Sequence, residues 1–299
     1  MSLAIQTASL TKRYRSVRAL DSLDLSVEPG GVHALVGPNG AGKTTLIKIL
    51  MNILRATSGK ASVAGVDSTR ISGKAFQTIG YVSENQKLPG WMRCGYFLKY
   101  LRPFYPTWDT ALESQLIQQF DLPVDRKLRH LSRGMQMKAA LASALAFRPR
   151  LIILDEPFSG LDPMVRDELG QALVDRAADS TIFLSSHDLG EIEGFATRLT
   201  YLDKGRHHLT EDVASLRARF REVELTFDAP VRLPPDLPPT WLQTSASEYT
   251  LKFIDSAFDQ ESLQAEVVRR FGSLQHATFS PMTIRDIFLG LAKSNRRSS

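Results

Sequence analysis

Residues 37–45 form a glycine-rich segment whose residue types could bind a polyphosphate. In order they are Gly37, Pro38, Asn39, Gly40, Ala41, Gly42, Lys43, Thr44 and Thr45. A glycine followed after four residues by Gly-Lys-Thr matches the phosphate-loop pattern, in which backbone N–H groups point at phosphate oxygens. In such a loop Lys43 reaches the β- and γ-phosphates, and the Thr44 hydroxyl binds Mg²⁺. The segment therefore predicts a site for a nucleoside triphosphate and Mg²⁺.

Two adjacent acids at the end of an apolar run supply groups that hydrolysis requires. Residues 151–154 are Leu-Ile-Ile-Leu, and Asp155 and Glu156 follow them. The run is typical of a buried parallel strand, and such sheets bind ligands at the carboxyl ends of their strands. Asp155 would then be a hard oxygen ligand for Mg²⁺, and Glu156 would polarise water for attack on the γ-phosphate. An isolated Asp-Glu pair often only caps the next element, but behind a phosphate loop it predicts hydrolysis.

The elements around these residues follow the order that a phosphate-binding α/β sheet needs. Residues 32–36 are apolar and β-prone, which predicts a strand before the loop, and residues 44–54 have the pattern of an amphipathic helix after it. The N-terminus of that helix adds its positive end to the loop amides. A further β-prone run, residues 181–184, ends just before Ser185-Ser186-His187-Asp188. A histidine therefore follows a predicted strand end.

Composition limits the class of protein. The chain has 299 residues, enough for one large α/β domain and a small second one, and its single cysteine, Cys94, excludes a disulfide framework. No apolar stretch approaches the roughly 18 residues that span a bilayer, and no signal peptide is evident. A pore would therefore have to be a different polypeptide. The net charge of +5 suits a phosphate ligand or an anionic membrane, although most of these cations are expected to be ordinary solvated surface.

These motifs resemble one family, the ATP-binding cassette (ABC) ATPases, over roughly residues 3–215. The other matching pieces, in the family's order, are Tyr14, the signature Leu131-Ser132-Arg133-Gly134-Met135, the dimer-contact loop Ser159-Gly160-Leu161-Asp162 and His187. The resemblance implies that Tyr14 stacks on the adenine of ATP and that His187 senses or stabilises the γ-phosphate. An ordinary surface tyrosine and an ordinary polar histidine are the alternatives.

The signature predicts the quaternary state. Ser132 is a favourable helix N-cap, and residues 134–147 read as a helix rich in alanine and leucine. In ABC ATPases the signature of one subunit closes over the ATP held by another, and the resemblance assigns Ser132, Gly134 and Asp162 to that contact. Only one cassette is present, so the resemblance implies a dimer with a second copy or a related subunit. ATP would hold this dimer closed, and hydrolysis would loosen it.

Two departures from the family's pattern stand out. The commonest signature is Leu-Ser-Gly-Gly-Gln, whereas Arg133 and Met135 occupy its third and fifth positions here. Similar signatures are familiar among bacterial exporters of the ABC-2 type. The coupling loop usually carries glutamine where this chain has Glu84, with Gln86 two residues further on. A carboxylate can still contact Mg²⁺ or its water, and whether Glu84 or Gln86 fills the role is open at this point.

The resemblance implies an α/β fold, a P-loop NTPase cassette with a mixed sheet core, an antiparallel β subdomain and a helical subdomain. We place the cassette at residues 1–215, its helical subdomain at about 85–148, and a small C-terminal α+β domain at 216–299.

Local patterns predict the elements of the C-terminal domain. Strands are expected at 223–227, 249–254 and 274–279, helices at 258–271 and 283–292, and a disordered tail at 293–299, while prolines break the chain between the first two strands. No catalytic, metal-binding or nucleic-acid motif is evident in this domain. Its role is open, with dimer stabilisation and regulation as analogies.

An aromatic-rich segment lies between the coupling loop and the signature. Its rings are Trp91, Tyr96, Phe97, Tyr100, Phe104, Tyr105 and Trp108. The helical spacing of Phe97, Tyr100 and Phe104 predicts core of the helical subdomain. The alternative is that some rings line a groove for a membrane partner, because aromatic residues favour interface cores.

The resemblance predicts an ATPase subunit that powers transport, in the export direction, through a separate integral membrane permease. Its expected place is the cytoplasmic face of the cell membrane, as a peripheral protein that binds ATP and Mg²⁺. The alternative is a soluble or sensor-linked ABC ATPase that acts as a mechanical switch without transport. No nucleic-acid partner is expected, since ribosome-acting members usually carry two cassettes and DNA-repair members a long coiled coil. Export follows from the ABC-2 resemblance, whereas the sequence itself fixes neither the direction of transport, nor the cargo, nor the choice of homodimer or heterodimer.

Overall fold

The computed structural model describes residues 2–295, with side chains described through Leu291, and the chain divides into two compact units, residues 1–210 and 211–299. In the first unit the strands are β1 (Ile5–Tyr14), β2 (Val17–Val27), β3 (Val32–Val36), β4 (Ser58–Val63), β5 (Val66–Asp67), β6 (Ile79–Val82), β7 (Leu151–Asp155), β8 (Thr181–Ser186) and β9 (Arg198–Asp203), and β10 (Arg206–Asp212) crosses the boundary. Its helices are α1 (Lys43–Leu50), α2 (Gly73–Phe76), α3 (Cys94–Leu101), α4 (Thr110–Gln119), α5 (Arg133–Leu145) and α6 (Pro163–Ala177).

A six-stranded sheet positions the phosphate loop. Its strand order is β10-β9-β3-β8-β7-β6, and β3, β6, β7, β8 and β9 pair in parallel. Every residue of β3, β7 and β8 is buried, which explains why these strands read as continuous apolar runs. Because β3, β7 and β8 are neighbours and parallel, the segments that follow them meet at one edge of the sheet.

An antiparallel sheet of order β2-β1-β4-β5 and the helices α3, α4 and α5 complete the first unit. The three helices lie in the chain between β6 and β7, where the helical subdomain is predicted. Together with the mixed six-stranded sheet, these parts confirm the predicted fold class. The predicted boundary at residue 215 falls inside α7 (Val213–Arg219), whereas the compact units divide after Thr210.

Helix α1 is anchored by its apolar face but is shorter than predicted. Leu46, Ile47 and Leu50 are fully buried in a cluster shared with the strands of the first unit. The predicted helix continued to residue 54, but α1 ends at Leu50. Asn52 has a φ of +54°, in the left-handed region that stops a helix, so the prediction of four further helical residues was wrong.

The second unit is a small α+β domain. Its elements are α7, β11 (Arg221–Phe227), β12 (Trp241–Ala246), β13 (Thr250–Asp255), α8 (Gln260–Phe271), β14 (Leu274–Pro281) and α9 (Ile284–Asn295). The strands form an antiparallel sheet of order β12-β13-β11-β14. Buried residues of β11, β13 and α8, such as Val223, Phe253 and Leu263, form its core.

Strand β12 lies in the stretch that the prolines were expected to leave irregular. Trp241 is buried and stacks on Phe253 with ring centroids 4.1 Å apart, so tertiary packing fixes the strand. Its pairing with β13 is interrupted between Leu242 and Ser245, and Gln243 has a φ of +52°. This irregularity hides the alternation that strand prediction depends on. At the C-terminus α9 includes residues 293–295 of the predicted disordered tail, and residues 296–299 lie outside the described residues.

The aromatic segment divides between core and surface. Phe97 is 6% exposed, as predicted for core, whereas Tyr100 and Phe104 are 48% and 54% exposed. The interpretation of all three as core was therefore wrong for two of them. Helix α3 ends at Leu101 and a short 3-10 turn follows, so Phe104 no longer lies on the buried face. The rings of Tyr96, Tyr100 and Phe104 instead form a row on the surface, with successive centroids 6.5 and 5.6 Å apart.

Candidate functional site

The phosphate loop encloses a cavity of about 430 Å³ at the N-terminus of α1. Its lining residues are Ala19, Asn39, Gly40, Ala41, Gly42, Lys43, Thr44, Thr45, Glu84, Glu156, Ser159 and His187. Gly42 has a φ of +107°, and a Cβ there would lie 2.4 Å from the carbonyl oxygen of Ala19. At Gly37 a Cβ would lie 2.0 Å from the carbonyl oxygen of Leu202. Only glycine allows this backbone path, which leaves the loop amides and the helix end facing the cavity.

Lys43 is held inside this loop by carbonyl oxygens and by an acid. Its side chain is 5% exposed, and Nζ donates to the carbonyl oxygen of Gly37 at 2.6 Å and to that of Pro38 at 3.3 Å. Nζ also lies 3.1 Å from Oε1 of Glu156. A buried ammonium with a buried acid beside it is a cation fixed in place for an anionic ligand.

Thr44 and Asp155 bring two hard oxygens together. Oγ1 of Thr44 donates to Oδ1 of Asp155 at 3.1 Å, and the Ser185 hydroxyl donates to the same oxygen at 2.8 Å. Burial raises the pKa of Asp155, and the charges of Glu156 and Glu84 act in the same direction. Asp155 is 2% exposed. A buried carboxylate beside a hydroxyl is a suitable partner for a cation.

Glu156 has a backbone conformation that residues other than glycine seldom adopt. Its φ is +50°, in the left-handed region, which costs about 1–3 kcal/mol. The conformation is fixed by a hydrogen bond of 2.9 Å from the Glu156 N–H to the Ser185 hydroxyl. Consecutive carboxylates consequently point to different partners. Asp155 faces Thr44, whereas Glu156 faces Lys43 and His187.

His187 completes a chain of polar contacts across the cavity. Nδ1 lies 2.8 Å from Oε2 of Glu156, and the backbone N–H of His187 donates to the same oxygen at 3.3 Å. The hydrogen bond to Glu156 raises the pKa of His187, and its side chain is 38% exposed toward solvent. One carboxylate thus joins a lysine and a histidine, both able to carry positive charge where a terminal phosphate would bind.

Glu84 and Gln86 have different surroundings, which distinguishes their roles. Glu84 lines the phosphate cavity, where the Ser159 hydroxyl donates to its Oε1 at 3.4 Å. Gln86 accepts a hydrogen bond of 3.2 Å from the Ser83 N–H and lines a separate groove. Of the two, Glu84 is therefore the one that lies in the phosphate-loop cavity.

Other predicted site residues do not line this cavity in the described part of the chain. Tyr14 ends β1, is 45% exposed and has the Lys12 ammonium 5.1 Å from its ring centre. Ser132 caps α5 by accepting from the Met135 N–H, and Asp162 caps α6 by accepting from the Val165 N–H. Gly134 lies in the first turn of α5, where a Cβ would contact Val165 at 3.3 Å. Adenine stacking and the signature contact therefore remain predictions.

Ser185 is a site residue whose role sequence reasoning missed. Its hydroxyl donates to Asp155 and accepts from the Glu156 N–H, so it orients both acids. The available signal was a hydroxyl at the end of a strand. To recognise the role of Ser185 from that hydroxyl, one would need to know that β7 and β8 are neighbours, with Asp155 paired in register with Ser185.

Comparison with known proteins identifies the family. A family model described as ABC transporter matches residues 20–159. The chain is 30% identical to the ABC transporter ATP-binding protein YtrB of Bacillus subtilis over 231 residues, which cover 77% of this chain and 79% of that protein. The chain belongs to the family of ABC transporter ATP-binding proteins. It is consequently an ATP-binding and ATP-hydrolysing subunit of an ABC transporter. The predictions of ATP binding and of ATP hydrolysis are therefore confirmed.

Other relatives of this ABC subunit carry names that refer to drugs. The daunorubicin resistance ATP-binding protein DrrA2 of Streptomyces coeruleorubidus is 37% identical over 214 residues, covering 68% of this chain and 65% of that protein. The bacitracin transport ATP-binding protein BcrA of Bacillus licheniformis is 32% identical, with 69% of each chain covered. A solved ATP-binding subunit of an ABC transporter matches with a TM-score of 0.65 and 26% identity, covering 73% of this chain and 92% of that one.

A second groove of about 450 Å³ lies beside α3 in the ABC subunit. Most of its lining is apolar or aromatic, from Met51, Ile53, Phe76, Ile79, Tyr81, Leu88, Pro89, Phe97, Leu101, Tyr105, Ala144 and Phe147. Ile53 is 59% exposed at its rim. Within the described residues, none of the helices is both long and apolar enough to cross a bilayer.

Proposed function

We propose that this ABC subunit couples ATP binding and hydrolysis to export through a separate membrane-spanning permease. The observation that carries the chemistry is the placement of Glu156 between Lys43 and His187, next to Thr44 and Asp155. The export direction is supported by the relatives named for drug resistance, because resistance conferred by a transporter requires removal of the drug.

The residues of the cavity have different roles in ATP hydrolysis. The amides of residues 37–45 and the ammonium of Lys43 bind the β- and γ-phosphates. Glu156 accepts a hydrogen bond from the attacking water and takes its proton as the water oxygen bonds to the γ-phosphorus, while the bond to the β–γ bridging oxygen breaks and ADP leaves. His187 places its imidazole beside the transferring phosphate, and its hydrogen bond to Glu156 raises its pKa, which favours the protonated form. Tyr14 is proposed to stack on adenine from the C-terminal end of strand β1.

The oxygens of Thr44 and Asp155 suit Mg²⁺, and Glu84 lines the same cavity as Thr44. Mg²⁺ is bound through one or two carboxylates, waters and substrate phosphates rather than by an all-protein cage. The site offers one such carboxylate, Asp155, with the Thr44 hydroxyl 3.1 Å from its Oδ1. When bound, Mg²⁺ neutralises charge on the β- and γ-phosphates.

A second subunit completes the site. Ser132 and Gly134 lie at the N-terminus of α5, a thirteen-residue helix whose end favours anions. Because these residues do not line the cavity of their own chain, we assign them to the ATP of a partner cassette, with Asp162 at the same contact. ATP between two cassettes would then hold the dimer closed.

The permease is proposed to dock in the groove beside α3. Its apolar lining, the exposed Ile53 and the neighbouring row Tyr96, Tyr100 and Phe104 have the composition of an interface core. Docking there would place the subunit peripherally on the cytoplasmic face of the cell membrane. A stoichiometric multi-span protein recovered with the tagged subunit in mild detergent would support this function. Recovery of ribosomal proteins or nucleic acid without a membrane protein would overturn it and leave the ATPase chemistry intact.

A further inference from the structure

A cluster of cations lies on the surface of the helical subdomain, and none of its residues lines the phosphate-loop cavity. The cations Arg93, Arg126, Lys127 and Arg129 line an open groove together with Asp125 and the imidazole of His130, and we call this surface the basic patch. All six side chains are exposed. Backbone hydrogen bonds hold its two segments side by side, from Leu128 N–H to Met92 carbonyl at 2.9 Å and from Arg129 N–H to Gly90 carbonyl at 3.2 Å.

The four arginine and lysine side chains of the basic patch outnumber its one acid, Asp125. In the part of the chain that the structure describes, Arg93, Arg126, Lys127 and Arg129 form no ion pair with an acid. Arg93 donates instead to the backbone carbonyl of Asp125, and Nε of Arg129 donates to Nε2 of His130 at 3.0 Å. These neutral acceptors position the guanidinium groups and leave their charge in place for an anionic partner.

An exposed tryptophan adjoins the basic patch and indicates the kind of anionic partner. Trp91 is 66% exposed and precedes Arg93 by two residues, in the segment hydrogen-bonded to Arg129. An indole with a wet edge and an apolar face favours the boundary between lipid headgroups and acyl chains. Lysine and arginine beside it favour anionic phospholipids, whose surface potential attracts such clusters. A soluble anion would make use of the cations but would leave the indole in water.

The position of the basic patch agrees with a membrane partner, and this step rests on the proposed function. Helix α3 starts at Cys94, directly after Arg93, and its Phe97 and Leu101 line the proposed permease groove. Helix α3 has eight residues and spans about 12 Å. The patch begins at its N-terminus and the groove is lined by residues further along it, so the two surfaces are close together. A subunit docked on a membrane-embedded partner would carry the patch toward the headgroups.

We propose that the basic patch and Trp91 form a contact site for anionic phospholipid headgroups. The cations would bind the phosphates electrostatically, and the Trp91 ring would enter the interface. Binding is expected to be reversible and sensitive to salt, because exposed charges are screened over about 8–10 Å at physiological ionic strength.

The test measures flotation of the purified full chain with vesicles of phosphatidylcholine alone and with about 30 mol % phosphatidylglycerol. The wild type is expected to float only with anionic vesicles. Combined Arg126→Glu, Lys127→Glu and Arg129→Glu substitutions should weaken binding at least about tenfold, since each reversed charge repels the surface. A matched variant combines Lys60→Glu, Arg70→Glu and Lys74→Glu, three exposed cations of the same unit with the same total charge change. It should keep binding within about threefold of wild type.

Two further measurements keep the proposal separate from folding and from the transport claim. ATP hydrolysis by the patch variant should equal that of wild type, which shows that the cassette is folded. On anionic vesicles the tryptophan emission should shift to the blue, and Trp91→Phe should abolish the shift, because Trp241 is buried and Trp108 is half-buried.

Equal loss in the patch and matched variants, or no wild-type flotation, would overturn the proposal. So would double-stranded DNA binding that the patch variant loses while vesicle binding persists. The assay contains no permease, so failure of the proposed function would leave its result unchanged.

Discussion

The ammonium of Lys43 lies 3.1 Å from the carboxylate of Glu156, and both side chains are nearly buried, at 5% and 7% exposure. These are the residues that we assign to phosphate binding and to proton transfer. A triphosphate would compete with Glu156 for Lys43, because phosphate oxygens bring more negative charge to the same ammonium. Binding of ATP would then release Glu156 to accept a hydrogen bond from water. This exchange links the binding residue to the base before chemistry begins.

Replacing Glu156 with glutamine should nearly abolish turnover while ATP binding persists. Glutamine keeps the shape of the side chain but cannot accept a proton, and loss of a general base costs typically 10²–10⁴-fold. The variant should accumulate as an ATP-bound dimer, which size-exclusion chromatography with ATP would detect. Glu191→Gln is the matched control, since Glu191 is also a buried acid but contacts Ser186. Undiminished hydrolysis in Glu156→Gln would overturn the assignment of the base.

Replacing Lys43 should weaken ATP binding and also affect the empty subunit. Lys43→Ala removes the cation that contacts both the predicted phosphates and Glu156, so Glu156 is left buried without that partner. We expect a loss of about 1–3 kcal/mol in the free energy of unfolding, partly restored by adding Glu156→Gln. Fluorescent nucleotide binding and urea unfolding measure the two effects. An additive double variant would contradict the contact between Lys43 and Glu156.

The sequence predicted the phosphate loop and the paired acids because their residue types follow one another within a few positions. The Lys43–Glu156 contact joins residues far apart in the chain, and only the strand order β3-β8-β7 brings them together. The role of Ser185 in orienting both acids was missed because it also depends on this strand order. The predicted C-terminal end of α1 was wrong because a single backbone conformation determines where the helix stops. Asn52 has a left-handed φ, and α1 has already ended before it. Helical spacing identified Phe97 as core but could not detect the end of α3, which exposes Phe104.

Arg133 and Glu84 should be energetically coupled. Nη2 of Arg133 lies 4.0 Å from Oε1 of Glu84, and the Arg133 guanidinium packs over Gly160, 3.0 Å from where a Cβ would lie. Both side chains are partly exposed, so the coupling should be modest, about 0.2–1 kcal/mol. ATPase rates of Arg133→Gly, Glu84→Gln and the double variant form a double-mutant cycle. The loss of rate in the double variant should fall short of the product of the two single losses by about 1.4- to 5-fold, and multiplicative losses would show that the two residues act independently.

A charge on the aromatic row should remove the permease and spare the nucleotide. Tyr96 is 54% exposed beside the groove, so Tyr96→Glu would place a carboxylate in a desolvated interface core without disturbing the buried core. We expect loss of co-purification with the permease and unchanged ATP affinity. Val174→Glu, at a comparably exposed apolar position on α6, is the control. Equal loss of permease and ATP binding would indicate a folding defect and remove the docking assignment.

Acid should destabilise the first unit through His33. Its imidazole is 3% exposed, its Nε2 lies 2.8 Å from the Thr200 hydroxyl, and burial lowers its pKa to about 4. Between pH 6.5 and 4, His33 binds a proton in the unfolded chain, where its pKa is the ordinary value of about 6.5, but not in the folded chain. The stabilisation is therefore present above pH 6.5 and is lost as the pH falls toward 4, by about 2 kcal/mol between pH 7.5 and 5.

The His33→Gln variant separates this effect from that of the acids, because glutamine can keep the hydrogen bond to Thr200 but does not titrate. Urea unfolding at the two pH values should show a drop smaller than that of wild type by about 2 kcal/mol. An equal drop in both proteins, or an NMR titration of the His33 ring with a pKa near 6.5, would contradict the prediction.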